Sequence, residues 1–352
     1  MPQNSKPRVG LAGTLDLRKR GAAVAPLLCD ILRKLDFDVT TSNEVDILIN
    51  INHNWKSINE LTNPDVFKVL IRLEPAAVYP AQYSEKVMSK YQLIISPGMQ
   101  VDEFCGFIPW PYSYQANPLR PKSTSTDFPA VIDSFRQQGL YSYEGWSKRE
   151  IYCSMIAANK VSPNGTGNYS LRRKFALAAG NTGIQIYGEL WKAGLLTKLR
   201  YRLGVLRFAI ASGSTYITPE IFRDLLRKYP DVNGAVENKQ TIVENSKFSL
   251  VIENSDMYVS EKLIDALFSG SIPVYFGPSL KFSPIAEDLV VRYSGPVSEL
   301  TLFLQSLNPE QIKTKLAKIE EFIGGQDFLR WHQTEVYDFI AKQICLKYSE
   351  GK

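Results

Sequence analysis

The feature that most constrains the fold is a strand–helix–strand pattern between residues 248 and 276. Apolar runs at 248–252 and 272–276 predict two buried strands. Between them, residues 260–269 have helical spacing of apolar side chains, with a serine at the start that can cap a helix and a glycine directly after the end. A helix that joins two short buried strands forms a βαβ unit. The sequence therefore predicts a parallel sheet covered by helices in this region.

The same alternation recurs in the N-terminal half. Apolar runs at 45–51, 67–73 and 91–95 predict buried strands, and residues 24–35 carry an apolar stripe at helical spacing. The chain has 352 residues, which is enough for two cores. The pattern lapses over 112–146, where several prolines discourage regular structure. We therefore predict an α/β protein with two Rossmann-like domains facing across a cleft: an N-terminal domain over 1–115, a linker over 116–148 and a C-terminal domain with terminal helices over 149–346.

Composition excludes several classes of protein. Hydrophobic residues make up 44% and charged residues 22%, which is ordinary for a globular protein and unlike a disordered or fibrous one. No run approaches the roughly 18 apolar residues of a membrane span, and the N-terminus lacks the apolar core of a signal peptide, so we expect a cytoplasmic protein. The four cysteines are scattered and there are two histidines, so neither a disulfide framework nor a zinc site is expected.

Charge gives a weaker constraint. Lys and Arg number 41 against 36 Asp and Glu, a mild excess of +5, and the basic residues are spread out along the chain, so no nucleic-acid partner is expected. The densest basic group contains Lys198, Arg200, Arg202 and Arg207, interleaved with leucines. Two interpretations stay open: peripheral contact with anionic lipid at the inner face of a membrane, or a solvated basic face of a loop or helix.

Two polar residues in the central pattern point to an anionic ligand. Lys262 falls in the first turn of the predicted helix, where the positive end of the helix dipole disfavours a cation. A lysine there indicates a bound anion such as a diphosphate, or else an ordinary exposed lysine. Glu261 suits the dipole as a first-turn carboxylate, and it could also accept hydrogen bonds from ribose hydroxyls.

Residues 247–277 resemble the donor-binding signature of the α1,3/4-fucosyltransferases, glycosyltransferase family 10. In that family a K-F-x-x-x-x-E-N core leads into Y-[VI]-[TS]-E-K and then into a [TS]-[IV]-P-[VI] strand that ends in Gly. The chain matches without a gap and reads KFSLVIENSDMYVSEKLIDALFSGSIPVYFG. The resemblance implies a GT-B fold, GDP-fucose as donor, a glycan hydroxyl as acceptor and inversion at the anomeric carbon. The N-terminal domain would then bind the acceptor and the C-terminal domain the GDP-sugar.

The resemblance also implies roles for individual residues. Tyr258, Glu261 and Lys262 match the positions that hold the nucleotide, with the glutamate on the ribose and the lysine on the phosphates. Glu253 and Asn254 match the E-N pair near the sugar and the phosphates.

An upstream basic run supplies a further candidate. In LRRKF, Arg172 matches the arginine that clamps the diphosphate in the family, with Arg173 as the alternative occupant and a solvent-facing basic run as the simpler interpretation. A guanidinium and an ammonium can stabilise the charge left on the departing diphosphate without a metal ion. We therefore expect no required cofactor and no metal site, although a divalent metal remains compatible.

Glu74 is the candidate base. An inverting transfer needs one group to remove the proton of the attacking hydroxyl. Glu74 follows the predicted strand at 67–73, and EPAAVYP resembles the E-P-x-x-x-x-P stretch whose glutamate is the base in the family. The alternative is an ordinary loop carboxylate. Glu74, Arg172 and Lys262 are thus the predicted catalytic residues.

Other functions remain open at the level of sequence. A transferase of the same fold could use another nucleotide sugar, because the central pattern relates to diphosphate and ribose more directly than to the sugar. A binding protein for glycans or nucleotides could have the same fold without catalysis. Nucleic-acid binding ranks third, since only the net charge supports it.

Overall fold

The computed structural model describes residues 6–13, 25–96, 128–211, 217–256, 259–281, 285–329 and 333–351. These residues divide into two units. The first unit contains residues 6–96 together with 333–351, and the second contains residues 128–329. Each unit has its own sheet of parallel strands. The predicted α/β class, with parallel sheets, is confirmed.

Strands and helices alternate along most of the chain. The elements are β1 (Arg8–Gly13), α1 (Pro26–Lys34), β2 (Asp38–Thr40), β3 (Ile47–Ile51), α2 (Trp55–Asn59), β4 (Phe67–Ile71), α3 (Glu85–Met88), β5 (Leu93–Ile95), α4 (Phe128–Gln137), α5 (Tyr143–Ser147), β6 (Ile151–Ile156), α6 (Tyr169–Thr182), β7 (Gln185–Tyr187), α7 (Leu195–Ala211), α8 (Lys239–Glu244), β8 (Ser246–Ile252), α9 (Glu261–Phe268), β9 (Ile272–Phe276), α10 (Leu300–Gln305), α11 (Pro309–Gly324), α12 (Gln326–Leu329) and α13 (Gln333–Glu350). Short 3-10 turns occupy Pro80–Tyr83, Pro219–Phe222, Glu287–Leu289 and Val297–Glu299.

The first unit is built on a five-stranded sheet with the order β2-β1-β3-β4-β5. The central strands β1, β3 and β4 are short and mostly buried, as expected for a parallel sheet that helices cover. Alternate side chains of β1 and β3, such as Val9 and Ile49, pack against Leu28 and Leu32 of α1 in one buried cluster.

The last helix belongs to this first unit, which corrects the predicted C-terminal domain over 149–346. Ile340 and Ile344 of α13 are buried in the same cluster as Leu28 of α1. The sequence correctly indicates an amphipathic helix, because its apolar residues recur at helical spacing. Periodicity shows that a helix has a buried side, but it does not show which sheet that side covers.

The second unit has a four-stranded sheet with the order β7-β6-β8-β9. The predicted βαβ unit is present: β8 and β9 pair in parallel from Phe248 with Ile272 to Ile252 with Phe276, and α9 joins them. Gly270 follows α9 with φ +63°, and a Cβ there would lie 2.3 Å from a backbone carbonyl oxygen. Glycine is therefore required where the chain turns from α9 into β9.

The predicted linker over 116–148 is wrong for the part that the structure describes. Helices α4 and α5 lie in it, and both pack on the second unit. The Tyr141 hydroxyl donates to the carbonyl oxygen of Phe268 over 2.7 Å, and Trp146 Nε1 donates to that of Lys247 over 2.7 Å. Prolines in this segment suggested irregular structure, but Pro129 is compatible with a helix. It occupies the first turn of α4, where a missing N–H breaks no helical hydrogen bond.

The dense basic group lies on α7, a helix of 17 residues. Two of its four cations are buried, which contradicts a wholly solvated or wholly lipid-facing basic surface. Lys198 donates to the carbonyl oxygen of Arg227 over 3.1 Å, and Arg202 is only 1% exposed. Among the described residues, no helix combines the length and the apolar character needed to cross a membrane.

Candidate functional site

A cavity of about 410 Å³ lies in the second unit, at the carboxyl ends of its central strands. Its walls include Ile156 at the end of β6, Gly188 after β7 and Val251 near the end of β8. The first turn of α9 forms another side. Ligands of parallel α/β sheets bind at this edge, where the chain leaves each strand for a loop or helix. This position makes the cavity the candidate binding site.

Gly188 allows the backbone segments after β6 and β7 to approach each other at the cavity. Its φ is +137°, and a Cβ would lie 2.2 Å from the carbonyl oxygen of Ala157. Its N–H donates to the carbonyl oxygen of Gly234 over 2.6 Å. A larger residue would be strained by its φ and would clash with the neighbouring segment, so the shape of this wall depends on glycine.

The first turn of α9 presents two opposite charges to the cavity, on Glu261 and Lys262. Ser260 caps the helix, since its Oγ accepts a hydrogen bond from the backbone N–H of Lys262. Lys262 Nζ donates to the same oxygen over 3.0 Å and lies 3.9 Å from the Glu261 carboxylate. The first N–H groups of α9 add positive potential at this end of the helix. A phosphate group next to Lys262 would therefore be stabilised.

Glu261 is ionised in this setting. Burial raises the pKa of its carboxyl, but Lys262, Lys239 and Arg172 lower it, and the resulting pKa lies below its usual value. An ionised carboxylate only accepts hydrogen bonds. Glu261 is therefore suited to bind hydroxyl groups of a ligand in the cavity.

An ion pair on the cavity wall was missed by the sequence analysis. Lys239 begins α8, and its Nζ lies 2.7 Å from Oδ2 of the buried Asp265. Burial lowers the pKa of Lys239, but Asp265 and Glu261 raise it above its usual value. One feature of the sequence could have indicated this ion pair. Glu261 and Asp265 are four residues apart, so two carboxylates share a face of α9. Like charges at that spacing repel, and a nearby cation offsets the repulsion.

Arg172 lies on α6 and reaches the end of β8. Its Nη2 donates to Oδ1 of Asn254 over 2.7 Å and to a backbone carbonyl of β8 over 2.5 Å. Its Nε has no hydrogen-bond partner among the described residues. Burial lowers the pKa of Arg172, whereas Tyr169 and the charges of Glu253 and Glu261 act in the opposite direction. A buried guanidinium thus stands close to both carboxylates, and its Nε, which is buried as well, lacks a hydrogen-bond partner among the described residues.

Arg173 faces a different part of the second unit. Its Nη1 donates to the carbonyl oxygen of Lys160 over 3.2 Å, and its Nε lies 3.4 Å from the Asp224 carboxylate. The structure therefore brings Arg172, and not Arg173, next to Asn254. The basic run is not a solvated face, because both arginines are buried and only Lys174 is exposed.

Glu253 follows β8 and is fully buried. Its Oε1 accepts from the backbone N–H of Ser260 over 2.8 Å, whereas its Oε2 has no hydrogen-bond partner among the residues that the structure describes. Burial raises the pKa of this carboxyl, and Lys262 and Ser260 offset that rise only in part. Tyr275 lies beside it: a Cβ on Gly277 would be 2.6 Å from the Tyr275 hydroxyl and 2.7 Å from Glu253 Cγ. Gly277 therefore keeps open the space in which these two side chains meet.

A second cavity, of about 400 Å³, adjoins Tyr275 and Gly277. Asn168 and Asp256 line it, and Asn168 Nδ2 donates to Asp256 Oδ1 over 3.0 Å. The backbone N–H of Asn168 also donates to the carbonyl oxygen of Asn254 over 3.2 Å. The segment between β8 and α9 thus borders the second cavity and then leads into the first turn of α9 at the first cavity.

Most of the site residues predicted for the second unit are close together in the structure. They lie at the end of β8, at the start of α9 and on the facing side of α6, and they are Arg172, Glu253, Asn254, Glu261 and Lys262. Tyr258, the other predicted member, falls outside the described residues. Among the described residues, no group of three or more His, Cys, Asp or Glu side chains is placed to hold a metal ion.

Glu74 lies in the first unit, in the loop after β4, and is partly exposed. Its carbonyl oxygen accepts from Gln82 Nε2 over 2.8 Å and from the Tyr83 hydroxyl over 3.0 Å. Gln82 is buried, and its Oε1 also accepts from the backbone N–H of His53 over 3.3 Å. The Gln82 side chain therefore ties the loop that carries Glu74 to the loop after β3.

His53 belongs to a buried polar network beneath these loops. Its Nδ1 lies 2.6 Å from the Tyr91 hydroxyl, which also accepts from Asn50 Nδ2 over 2.9 Å. Burial, with a contribution from Lys90, lowers the pKa of His53 to about 4. His53 is therefore neutral near pH 7 and has a structural position in this unit.

Comparison with known proteins returns glycosyltransferases among the solved structures. No protein-family model and no curated protein sequence matches the chain. The crystal structure of an α1,3-fucosyltransferase is 15% identical, with 99% of this chain and 92% of that chain covered and a TM-score of 0.48. Anabaena HepE in complex with UDP and glucose is 10% identical, with 92% and 83% covered and a TM-score of 0.48. A glycosyltransferase from Rickettsia africae is 8% identical, with 94% and 82% covered and a TM-score of 0.45.

Proposed function

We propose that this chain is a glycosyltransferase that uses a nucleoside diphosphate sugar and binds the nucleotide in the cavity of about 410 Å³. The observation that carries the proposal is the grouping of Arg172, Glu261 and Lys262 around the end of β8 and the start of α9. The carboxylate suits the two ribose hydroxyls, and the two cations suit the diphosphate. The cavity volume is within the range of about 300–1,000 Å³ that is common for small-molecule sites.

Arg172 and Lys262 would act on the leaving group. When the sugar departs, the bond between its C1 and the diphosphate oxygen breaks, and the electron pair stays on that oxygen. Arg172 offers an Nε–H that has no partner among the described residues, and Lys262 offers an ammonium at the positive end of α9. Each positioned donor of this kind lowers the transition-state energy by about 3 kcal/mol.

Guanine is the base that the cavity wall favours. Glu189 and Glu237 line the same cavity as Glu261 and Lys262. Guanine carries an N–H and an amino group on one edge, and a carboxylate can accept from both. Uracil carries a single N–H between two carbonyl oxygens, which a carboxylate would repel. The two glutamates therefore support a GDP-sugar over a UDP-sugar.

L-Fucose is the sugar that the sequence supports, through the resemblance of residues 247–277 to the family 10 signature. The proposed reaction is transfer of fucose from GDP-fucose to a hydroxyl of a glycan acceptor, with inversion at C1. The acceptor oxygen forms the new bond on the face of the sugar opposite the departing diphosphate. GDP-fucose and the acceptor are the only small molecules that the reaction requires.

Glu74 would be the base of this transfer. The carboxylate takes the proton of the acceptor hydroxyl as the new carbon–oxygen bond forms. The loop that carries Glu74 is held at its backbone by Gln82 and Tyr83, which restricts the positions that the carboxylate can reach. A base held in this way loses little entropy in the transition state.

The test is a donor panel. The protein is incubated with GDP-fucose, GDP-mannose, UDP-glucose or UDP-galactose and a glycan array, with and without Mg²⁺, and nucleotide release and glycan products are followed by mass spectrometry. We expect release of GDP from GDP-fucose and a fucosylated product. The double variant Glu189→Gln with Glu237→Gln should weaken GDP binding without weakening UDP binding.

Other outcomes would point to the remaining hypotheses. Transfer from a different donor would keep the glycosyltransferase proposal and replace fucose. Tight binding of GDP without transfer to any acceptor would indicate a binding protein of the same fold. Absence of binding to every nucleotide sugar would refute the proposal.

A further inference from the structure

Helix α7 has an unusual distribution of exposed side chains. Eleven large hydrophobic side chains are exposed among the described residues, and seven of them lie between residues 195 and 226. Leu196 and Ile210 are 70% and 62% exposed, and Leu226, in the segment that follows, is 78% exposed. Single exposed leucines are common on the surfaces of soluble proteins. A concentration of exposed apolar side chains in one segment indicates a surface that binds a partner or a membrane.

The exposed apolar residues of α7 form a stripe. Leu196, Leu203 and Ile210 recur every seven residues. On a helix this spacing places them on one side, with successive side chains rotated by only about 20° around the axis. Arg200 and Arg207 are exposed beside that stripe, also seven residues apart. Outward-facing leucines flanked by outward-facing arginines are thus the pattern of this face.

The opposite side of α7 carries two cations as well as the buried Ala209. Lys198 and Arg202 are buried there, against the second unit. A helix that packs on a protein core normally buries its leucines and exposes its cations. In α7 two cations are buried while Leu196, Leu203 and Ile210 are exposed, so packing within the unit does not explain the exposed apolar side chains.

Charge is concentrated in the same segment. Residues 190–219 contain five Lys or Arg and no Asp or Glu. Residues 190–230 contain eight Lys or Arg against two Asp or Glu, whereas the rest of the chain has 33 against 34. The excess positive charge of the protein therefore lies in this one segment. Both acidic residues are already paired, Glu220 with Arg223 and Asp224 with Arg173 and Arg227.

An apolar groove continues the stripe beyond the start of α7. A cavity of about 500 Å³ is lined by Leu195, Leu225 and Leu226 together with Lys192 and Lys228. The same combination of apolar and cationic side chains thus extends from the helix to the neighbouring segment.

From these observations we propose that α7 and the adjoining groove form a docking surface for a membrane that carries anionic lipids. Helices that lie in the interface of a bilayer combine apolar side chains, which enter the acyl boundary, with cations, which bind anionic headgroups. The surface differs from the basic group that the sequence indicates. Arg202 is buried and takes no part, and the buried Lys198 only borders the groove, whereas Leu196, Leu203 and Ile210 are exposed on the surface.

A second copy of this chain is a poorer occupant. In a symmetric dimer, this surface of one protomer would contact the same surface of the other. Arg200 and Arg207 of the two protomers would then lie close to one another. Like charges at an interface oppose association unless acids pair them, and residues 190–219 contain none. An anionic lipid surface complements both the leucines and the arginines.

Vesicle binding tests the proposal. Full-length protein is mixed with sucrose-loaded vesicles of phosphatidylcholine alone or of phosphatidylcholine and phosphatidylglycerol in equal parts, and the bound fraction is measured by sedimentation. We expect binding to the anionic vesicles and little binding to the neutral ones. Added salt should weaken the interaction, because it screens charges at a surface.

Paired variants separate charge from apolar contact. Arg200→Gln with Arg207→Gln should lower the partition coefficient about fivefold per arginine. Leu196→Gln with Leu203→Gln should lower it about tenfold or more, because the apolar side chains no longer enter the bilayer. The controls are Lys148→Gln with Lys313→Gln, which removes two exposed cations elsewhere in the unit, and Leu302→Gln, whose leucine is 66% exposed.

The outcomes are distinct. Loss of binding in the α7 variants and normal binding in the controls would support the docking surface. Three results would overturn the proposal: no binding of the wild type to anionic vesicles, equal loss in the controls, or a dimer in sedimentation velocity that dissociates in the leucine variant. Unchanged thermal unfolding temperatures of the variants establish that they are folded. GDP binding by every variant should stay at the wild-type level, so this test is independent of the proposed transferase activity.

Discussion

Arg172 donates a hydrogen bond of 2.7 Å from its Nη2 to the side-chain oxygen of Asn254. The two residues are 82 positions apart in the chain, and the bond joins α6 to the loop after β8. Because Arg172 is also held by a carbonyl of β8, its guanidinium has one orientation, with Nε unpartnered among the described residues. The proposed contact with the diphosphate depends on that orientation.

Replacing Arg172 with lysine should keep the positive charge but lose the hydrogen bonds that orient the guanidinium. Lysine lacks the planar fork and cannot engage Asn254, β8 and a phosphate together. We expect kcat/KM for transfer from GDP-fucose to fall by about a hundredfold to a thousandfold, measured as GDP release with an acceptor present. Arg136→Lys is the control, because Arg136 is an exposed arginine on α4 of the same unit. A normal kcat/KM in a normally folded Arg172→Lys protein would exclude the assigned role.

Replacing Lys262 with methionine should weaken binding of the diphosphate. An ammonium that binds a phosphate contributes about 1.5–3 kcal/mol, so GDP affinity should fall by about tenfold to a hundredfold in titration calorimetry. Binding of GMP, which lacks the second phosphate, should change less. Lys174→Met is the control, since Lys174 is the exposed member of the basic run on α6. Equal losses for GDP and GMP would place Lys262 away from the second phosphate.

Replacing Glu74 with glutamine should slow the transfer without affecting donor binding. Loss of a general base costs about a hundredfold to ten-thousandfold in rate. We expect kcat to fall by that amount while the affinity for GDP-fucose, measured by calorimetry, stays unchanged. Glu85→Gln removes an exposed carboxylate of α3 in the same unit and should have wild-type kcat. Normal turnover by Glu74→Gln would eliminate Glu74 as the base.

A methyl group on Gly277 should destabilise the second unit. The added Cβ would lie 2.6 Å from the Tyr275 hydroxyl and 2.7 Å from Glu253 Cγ, so one of these buried groups must move. Overpacking of this kind costs about 1–3 kcal/mol, measurable by urea denaturation. Gly204→Ala is the matched control, and it should stabilise the second unit instead of destabilising it. Gly204 lies within α7 with no atom within 4 Å of the added Cβ, and alanine favours the helix by up to about 1 kcal/mol.

The buried His53 should make stability depend on pH. Its pKa is lowered from an ordinary 6.5 to about 4, mainly by burial. Between those values the unfolded chain binds a proton that the folded chain does not, so stability present above about pH 6.5 is lost as the pH falls. From about pH 7.5 to about pH 5, the free energy of unfolding should drop by about 2 kcal/mol more in the wild type than in His53→Gln. Parallel curves for the two proteins would contradict a neutral buried histidine.

The parts predicted well from sequence are those that a short stretch of chain defines. The unit of β8, α9 and β9 is an example, because apolar spacing, the Ser260 cap and the glycine after α9 all act within a few residues. The α/β class follows from repetition of the same local pattern. Local signals failed where packing partners are far away in sequence, as for α13, whose buried side covers the first sheet.

The candidate site shows the same division. The sequence could place Glu261 and Lys262 on one helical turn, since neighbours on a helix are fixed by geometry. The family resemblance favoured Arg172 over Arg173, but helical periodicity could not choose between them, because adjacent helical residues point about 100° apart and the position of α6 against β8 selects one of them. The sequence also did not reveal the pairing of Lys239 with Asp265, which joins two separate helices.

Taken by itself, the sequence determined the α/β class, the parallel character of the sheets, the unit of β8, α9 and β9 and the residues at the start of α9. Tertiary structure alone decided which sheet the last helix covers, which arginine meets Asn254, and which side chains of α7 remain exposed. The physical reason is that propensity, capping and periodicity are local energies, set by residues within about one or two turns. Burial and charge pairing depend on side chains that meet only after the chain has folded.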